Sequence, residues 1–199
     1  MLCELIADHP AFRSLASIEG IQVDLRYAGA NNFVGRNLYR ELNCSWLHQD
    51  AAAGLQAVVA CLRLRHPGVC VLVLDALRPH RVQKMLWQAL AGTQLRQYLA
   101  DPEKGSIHSF GMAVDVTLVD HHGVELDMGT AFDELSELSH PQYEQRHLDG
   151  GLLSERQLVN RWLLRRAMLD NGFSGISTEW WHFDFGDRER VRKNHLRIE

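Results

Sequence analysis

Several ordinary signals are missing from this 199-residue sequence, and each absence removes a class of protein. No uninterrupted apolar run approaches the roughly 18 residues of a membrane span, so no membrane partner is expected. Basic charge is not in excess: 21 Lys+Arg face 25 Asp+Glu, a net charge of −4. Nucleic acid, which calls for a basic face or stripe, is therefore not an expected partner. Cysteine is sparse, and Cys3, Cys44, Cys61 and Cys70 form no C-x-x-C pair, so free buried thiols are expected. The start, MLCELIADHPAF, has acidic residues and a proline where a signal peptide has a basic end and an apolar run, which suggests a cytoplasmic protein. No repeat or low-complexity linker divides the chain, and residues 1–199 are expected to form a single domain able to bury about 70% of its unfolded surface. Against these absences stand 11 histidines, which raise the question of a metal.

The hydrophobic pattern places the elements. Ile21, Val23, Leu25 and Tyr27 alternate with polar residues, as in a half-buried strand. Leu55, Val58, Val59 and Leu62 share one face of a helix over Gln49–Arg65, stopped by His66-Pro67-Gly68. Val69–Leu74 reads as a buried strand, and Pro79 opens a second helix with Val82, Met85, Leu86, Ala89 and Leu90. Met112–Val119 alternates as a strand, Asp120-His121-His122-Gly123 has hairpin-turn chemistry, and Val124–Met128 would return. Residues Gly129–Gly151 show no clear period and are expected to form a long loop. Ser154-Glu155-Arg156-Gln157 is a capping box for a helix that ends near Asn171-Gly172. Trp180–Phe185 reads as a final strand, and Asp187–Glu199 as a solvated end. The order suggests an α+β fold, with a mainly antiparallel central sheet and flanking helices.

Two segments carry the chemistry: Ser106-Ile107-His108-Ser109-Phe110-Gly111-Met112-Ala113-Val114-Asp115 and Glu179-Trp180-Trp181-His182. A hydrolytic zinc site needs three nitrogen or oxygen ligands and an open position, a set that His108, Asp115 and His182 would supply. His108 and Asp115 would sit about 23 Å apart in an extended chain, so the chain must turn back between them, with Phe110-Gly111 as the flexible point. Asp115 would share a strand face with Ala113 and Thr117. Glu179 is the candidate general base for a metal-activated water. Three residues separate it from His182, so the two converge only if Glu179 precedes the regular strand.

Each piece also has a plain structural reading. Asp115 alone would serve as a hydrogen-bond acceptor, and at least one of Trp180 and Trp181 is expected to be an ordinary core residue. Surface or hydrogen-bonding roles are expected for His9, His48, His66, His80, His140, His147 and His195, and His121-His122 fits a solvated hairpin tip.

Taken together, SIHSFGMAVD and EWWH resemble the zinc D-alanyl-D-alanine dipeptidases of the VanX type. These belong to a wider D,D-peptidase family with the motifs S-x-H-x-x-G-x-A-x-D and E-x-W-H. VDLRYAGANNFVG, DALRPHRVQ, LDMGTAFDELS and EWWHFDFG extend the resemblance over most of the chain. It implies a hedgehog/D,D-peptidase-like fold and one zinc ion per chain, held by His108, Asp115 and His182, with Glu179 as the base. It also implies that Arg78 steadies the charge on the scissile carbonyl, and that Tyr27, Ser106 and Asp133 hold the substrate, Asp133 facing a free ammonium. Leu77 and Phe110 depart from or vary within the family pattern without touching an implied ligand. The implied reaction is hydrolysis of D-Ala-D-Ala to two D-alanines. A carboxypeptidase acting on longer wall peptides and a non-catalytic zinc module like the hedgehog signalling domain are the alternatives. Oligomeric state leaves no mark on the sequence.

Overall fold

A computed structural model describes residues 1–199. Its main sheet has five strands, β2 (Ile21–Val23), β4 (Cys70–Asp75), β5 (Ala113–Val119), β7 (His182–Phe185) and β6 (Phe173–Gly175), in the order β2-β4-β5-β7-β6. Only β2 and β4 pair in parallel; the other neighbours are antiparallel. A separate two-stranded ribbon joins β1 (Phe12–Ser14) to β3 (Trp46–His48). The expected α+β fold with a mainly antiparallel sheet is thus observed. No helix is long and apolar enough to cross a membrane.

One face of the sheet is closed by α1 (Gln49–Arg65) and α4 (Glu155–Leu169), with the boundaries that the sequence suggests. Leu55, Val58 and Leu62 of α1 and Leu164 and Met168 of α4 share a core with Val71, Val73, Val114, Val116 and Leu118 of the sheet. Leu72 and Leu74, on the other side of β4, form a second cluster with Val119, against which Phe132 packs. Both faces are therefore covered, which is why β4 is a continuous apolar run. The same cover corrects the half-buried expectation for β5: all seven of its residues are buried. The Ser154 capping box forms in full, and α2 (His80–Ala89) begins directly after Pro79.

Other expectations fail for identifiable reasons. The first strand ends at Val23, because Arg26–Ala28 wind into a 3-10 turn that buries Tyr27. The Asp120–Gly123 turn forms, but its return is a single bridge, Val119 to Glu125, and no strand spans Val124–Met128. The expected loop Gly129–Gly151 contains two short 3-10 turns and α3 (Glu144–Asp149). The last strand begins at His182, not Trp180. The thiols are free, but Cys61 and Cys70, within the apolar runs, are half-buried, whereas Cys3 and Cys44 are buried. The charged tail is no solvated end: Asp187 caps α5 (Arg188–Asn194), and Ile198 is fully buried. Ile198 accepts the His80 amide proton and donates to Ser109 O, both at 2.8 Å, while Glu199 N donates to Met1 O at 2.7 Å. The chain end thereby pins two segments that lead into the candidate site.

The turn between His108 and Asp115 depends on Gly111, which has φ +66° after the 3-10 turn Ile107–Phe110. A Cβ there would lie 2.8 Å from the His48 backbone nitrogen and 2.9 Å from the Phe12 ring. Gly111 O in turn accepts the His48 amide proton at 2.8 Å. Gly111→Ala is expected to lower folding stability by at least about 1–2 kcal/mol, the left-handed penalty alone. Urea denaturation that gives the wild-type midpoint would contradict this account of the turn.

Candidate active site

The site is assembled by strand register. Asp115 of β5 lies directly opposite Asp75 on one side and His182 on the other, so three polar side chains line up across three adjacent strands. Asp75 reaches this row through an irregularity: pairing shifts between Val73 and Asp75, and the extra residue turns the Asp75 carboxylate toward Asp115. Asp184, two residues beyond His182, points to the same face.

His108 completes the arrangement from the turn. His108 Nε2, Asp115 Oδ1 and His182 Nδ1 form a triangle with edges of 3.1, 3.0 and 3.3 Å. The outer nitrogens settle the ring protons. His108 Nδ1–H donates to Ala76 O at 2.8 Å, and His182 Nε2–H donates to Asp184 Oδ1 at 2.9 Å. In the neutral rings the inner nitrogens then hold lone pairs that converge with a carboxylate oxygen; without a cation there, the inner His182 nitrogen keeps a second proton, which Asp115 Oδ1 accepts at 3.0 Å. Three such atoms suit a cation, and a metal with bonds of about 2.0–2.1 Å in a tetrahedron needs ligands about 3.3 Å apart. The donor set therefore fits a divalent metal. All three residues are buried, as is the carboxylate behind His182. Burial opposes charge on His182, yet Asp184 and Asp115 outweigh it and lift the ring to about 10. Burial also works against ionised Asp115, but His108 and His182 hold it well below the ordinary carboxylate range.

Arg78 frames the triangle. It donates from Nε to Asp75 Oδ2 at 2.8 Å, from Nη1 to Gln83 at 3.1 Å, and from Nη2 to Asp115 Oδ2 at 3.1 Å. Its guanidinium lies 4.9 Å from the Tyr27 ring centroid, and Tyr39 OH donates to the other oxygen of Asp75. Asp115 thus offers one oxygen to the triangle and the other to Arg78.

A cavity of about 290 Å³ opens beside these groups, near the lower end of the usual small-molecule range of about 300–1,000 Å³. Arg78, Tyr27, Ser106, Asp133, Glu179 and all three triangle residues line it, so the structure brings together every site residue named from the sequence. Glu179 precedes β7, as expected, and burial pushes its carboxyl up to about 7. Asp133 accepts the Tyr27 hydroxyl proton at 3.0 Å, and burial followed by the Asp115 charge raises its carboxyl well above the ordinary range. It also has φ +62°, a strained value for a non-glycine residue. The Ser106 side chain is buried at the wall and makes no hydrogen bond within the protein.

A family profile described as D-ala-D-ala dipeptidase matches residues 12–199. The chain belongs to the D-alanyl-D-alanine dipeptidase family. It is 41% identical over 164 residues to a D-alanyl-D-alanine dipeptidase of Escherichia coli (strain K12), covering 82% of this chain and 78% of that relative. It is 30% identical over 188 residues to one from Enterococcus faecium, covering 85% and 88%.

Several supporting residues escaped the sequence reading. Asp75 was hidden by the strand irregularity, and Asp184 by an ordinary strand pattern. Arg161 is only 1% exposed and donates to Met128 O at 2.6 Å, to Leu138 O at 3.0 Å and to Thr130 Oγ1 at 3.4 Å. Trp180 Nε1 donates to the same Thr130 hydroxyl at 2.8 Å, and Phe132 packs between Tyr27 and Trp181. These contacts fix the segment that carries Asp133. Both tryptophans are core residues, where at least one is expected from the sequence, and Trp181 also lines the cavity. Loss of a group that orients a metal-binding histidine typically costs 10–100-fold in affinity. If the triangle holds a divalent metal, Asp184→Asn should weaken its binding by about 10–100-fold in chelator competition; unchanged affinity would show that Asp184 does not orient the His182 donor.

Proposed function

We propose that this chain is a zinc-dependent dipeptidase that hydrolyses D-alanyl-D-alanine to two D-alanines. The observation that carries the proposal is the His108–Asp115–His182 triangle, set in one small cavity with Glu179 and Asp133. The family and the names of its two relatives supply the substrate class. His108, Asp115 and His182 would hold the zinc, one ion per chain. When bound, zinc supplies a Lewis acid that polarises the scissile carbonyl and acidifies water.

The remaining steps belong to the chain's own groups. Glu179 accepts the proton of the attacking water and returns it to the leaving amine; a carboxyl at about 7 is matched to both tasks near neutral pH. Arg78, held rigidly by Asp75, Gln83 and Asp115, presents fixed positive charge to the carbonyl oxygen as it becomes negative. Asp133 receives the free ammonium of the dipeptide and ionises against it, with Tyr27 OH holding the carboxylate in place. Ser106 offers its unpaired hydroxyl to the substrate. A small cavity with carboxylates at Asp133 and Glu179 and guanidinium charge at Arg78 suits a zwitterion of dipeptide size. Four free cysteines agree with a reducing, cytoplasmic setting.

Glu179→Ala should retain zinc and lose about 10²–10⁴-fold in kcat on D-Ala-D-Ala. Near-normal turnover would remove Glu179 as the base. His108→Ala should lose its zinc on elemental analysis, and wild-type zinc content would remove it as a ligand. N-acetyl-D-Ala-D-Ala should be a poor substrate, because acetylation removes the charge that Asp133 meets. Equal rates on the blocked and free dipeptides would exclude that role and favour a carboxypeptidase.

A further inference from the structure

A second group of metal-type donors lies away from the cavity, where α1 begins and α5 ends. His48 is the residue before α1, Asp50 lies in its first turn, and His195 follows α5 directly. One donor atom from each lies within 4.8 Å of the others. The His48 and His195 rings meet edge to face, with centroids 4.7 Å apart and planes at 73°.

Hydrogen bonding leaves this cluster incomplete. His48 Nδ1 accepts the Asp50 amide proton at 3.3 Å and so carries no proton of its own. Asp50 Oδ2 lies 3.5 Å from the same nitrogen, whose lone pair the amide already occupies, so no hydrogen bond joins ring and carboxylate. His195 Nδ1 is shut off from solvent and has no hydrogen-bond partner. Helix capping accounts for His48 alone. It does not account for a second imidazole with an orphaned nitrogen beside it, nor for the Asp50 carboxylate within 4.8 Å of both rings' donor atoms.

We propose that His48, Asp50 and His195 form a second site for a divalent transition metal, distinct from the cavity triangle. Two imidazoles and a carboxylate are a donor set suited to zinc or nickel rather than to calcium or magnesium. The present spacing is wider than the roughly 3.3 Å between ligands of a tetrahedral ion. The Asp50 side chain is 56% exposed, so it can rotate inward without disturbing the core. An ion here would tie the last turn of α5 to the first turn of α1. The His48 amide already donates to Gly111 O, three residues after His108, so this clamp would brace the turn beneath the cavity triangle.

The test is equilibrium dialysis of the full chain against excess Zn²⁺, with metal counted by elemental analysis, for wild type, His195→Gln and Asp50→Asn. Wild type should bind one equivalent more than either variant, whether or not the cavity triangle is filled. The extra equivalent should raise the thermal midpoint of wild type and leave both variants unmoved, since a ligand that binds only the folded form stabilises it. Equal metal content in all three proteins would overturn the proposal.

Discussion

Everything in the site depends on one constraint: the antiparallel register that sets Asp75, Asp115 and His182 side by side on a buried sheet face. Polar groups in such a place must find partners or neutralise. The structure answers with two kinds of positive charge. Arg78 lies between Asp75 and Asp115, and the lone-pair triangle beside it is shaped for a cation. The two halves share Asp115, one oxygen each, so a movement of Arg78 would move the triangle.

Around that row the fold supplies restraint more than chemistry. Gly111 lets the chain reverse, so that His108 meets a strand partner seven residues later in sequence. The chain end holds Ser109 and His80 through Ile198. Arg161, buried with the Glu144 carboxylate 3.6 Å away, directs donors to backbone carbonyls on both sides of Asp133. A buried charged donor left without acceptors costs several kcal/mol, so these carbonyls are strongly held where they are. The strained backbone at Asp133 is sustained by this surrounding order.

The sequence revealed periodic and motif-borne features well. Helix α1 stopped at the His66-Pro67-Gly68 breaker, and the α4 capping box formed with both of its hydrogen bonds. Eight site residues line one cavity: Ser106, His108, Asp115, Glu179 and His182 from the two motifs, and Tyr27, Arg78 and Asp133, which the family resemblance implies. What stayed hidden was tertiary in origin. Strands of three residues, such as β1, β3 and β6, are too short to show a period. The turn of Asp75 toward Asp115 comes from a shift in pairing between strands, which leaves no mark on either strand alone. Arg161 looks like any helical arginine until the Met128–Leu138 segment folds over it. The mixed charge of the tail masks two buried apolar residues, Val191 and Ile198, that anchor it.

The central claim is that the His108–Asp115–His182 triangle holds the catalytic metal. Anomalous X-ray diffraction at the zinc edge, on crystals of protein loaded with one equivalent of Zn²⁺, tests it most directly. The account predicts a strong anomalous peak bonded to His108 Nε2, Asp115 Oδ1 and His182 Nδ1. A zinc-loaded crystal whose anomalous density lies elsewhere, with the triangle closed on itself by hydrogen bonds, would contradict it.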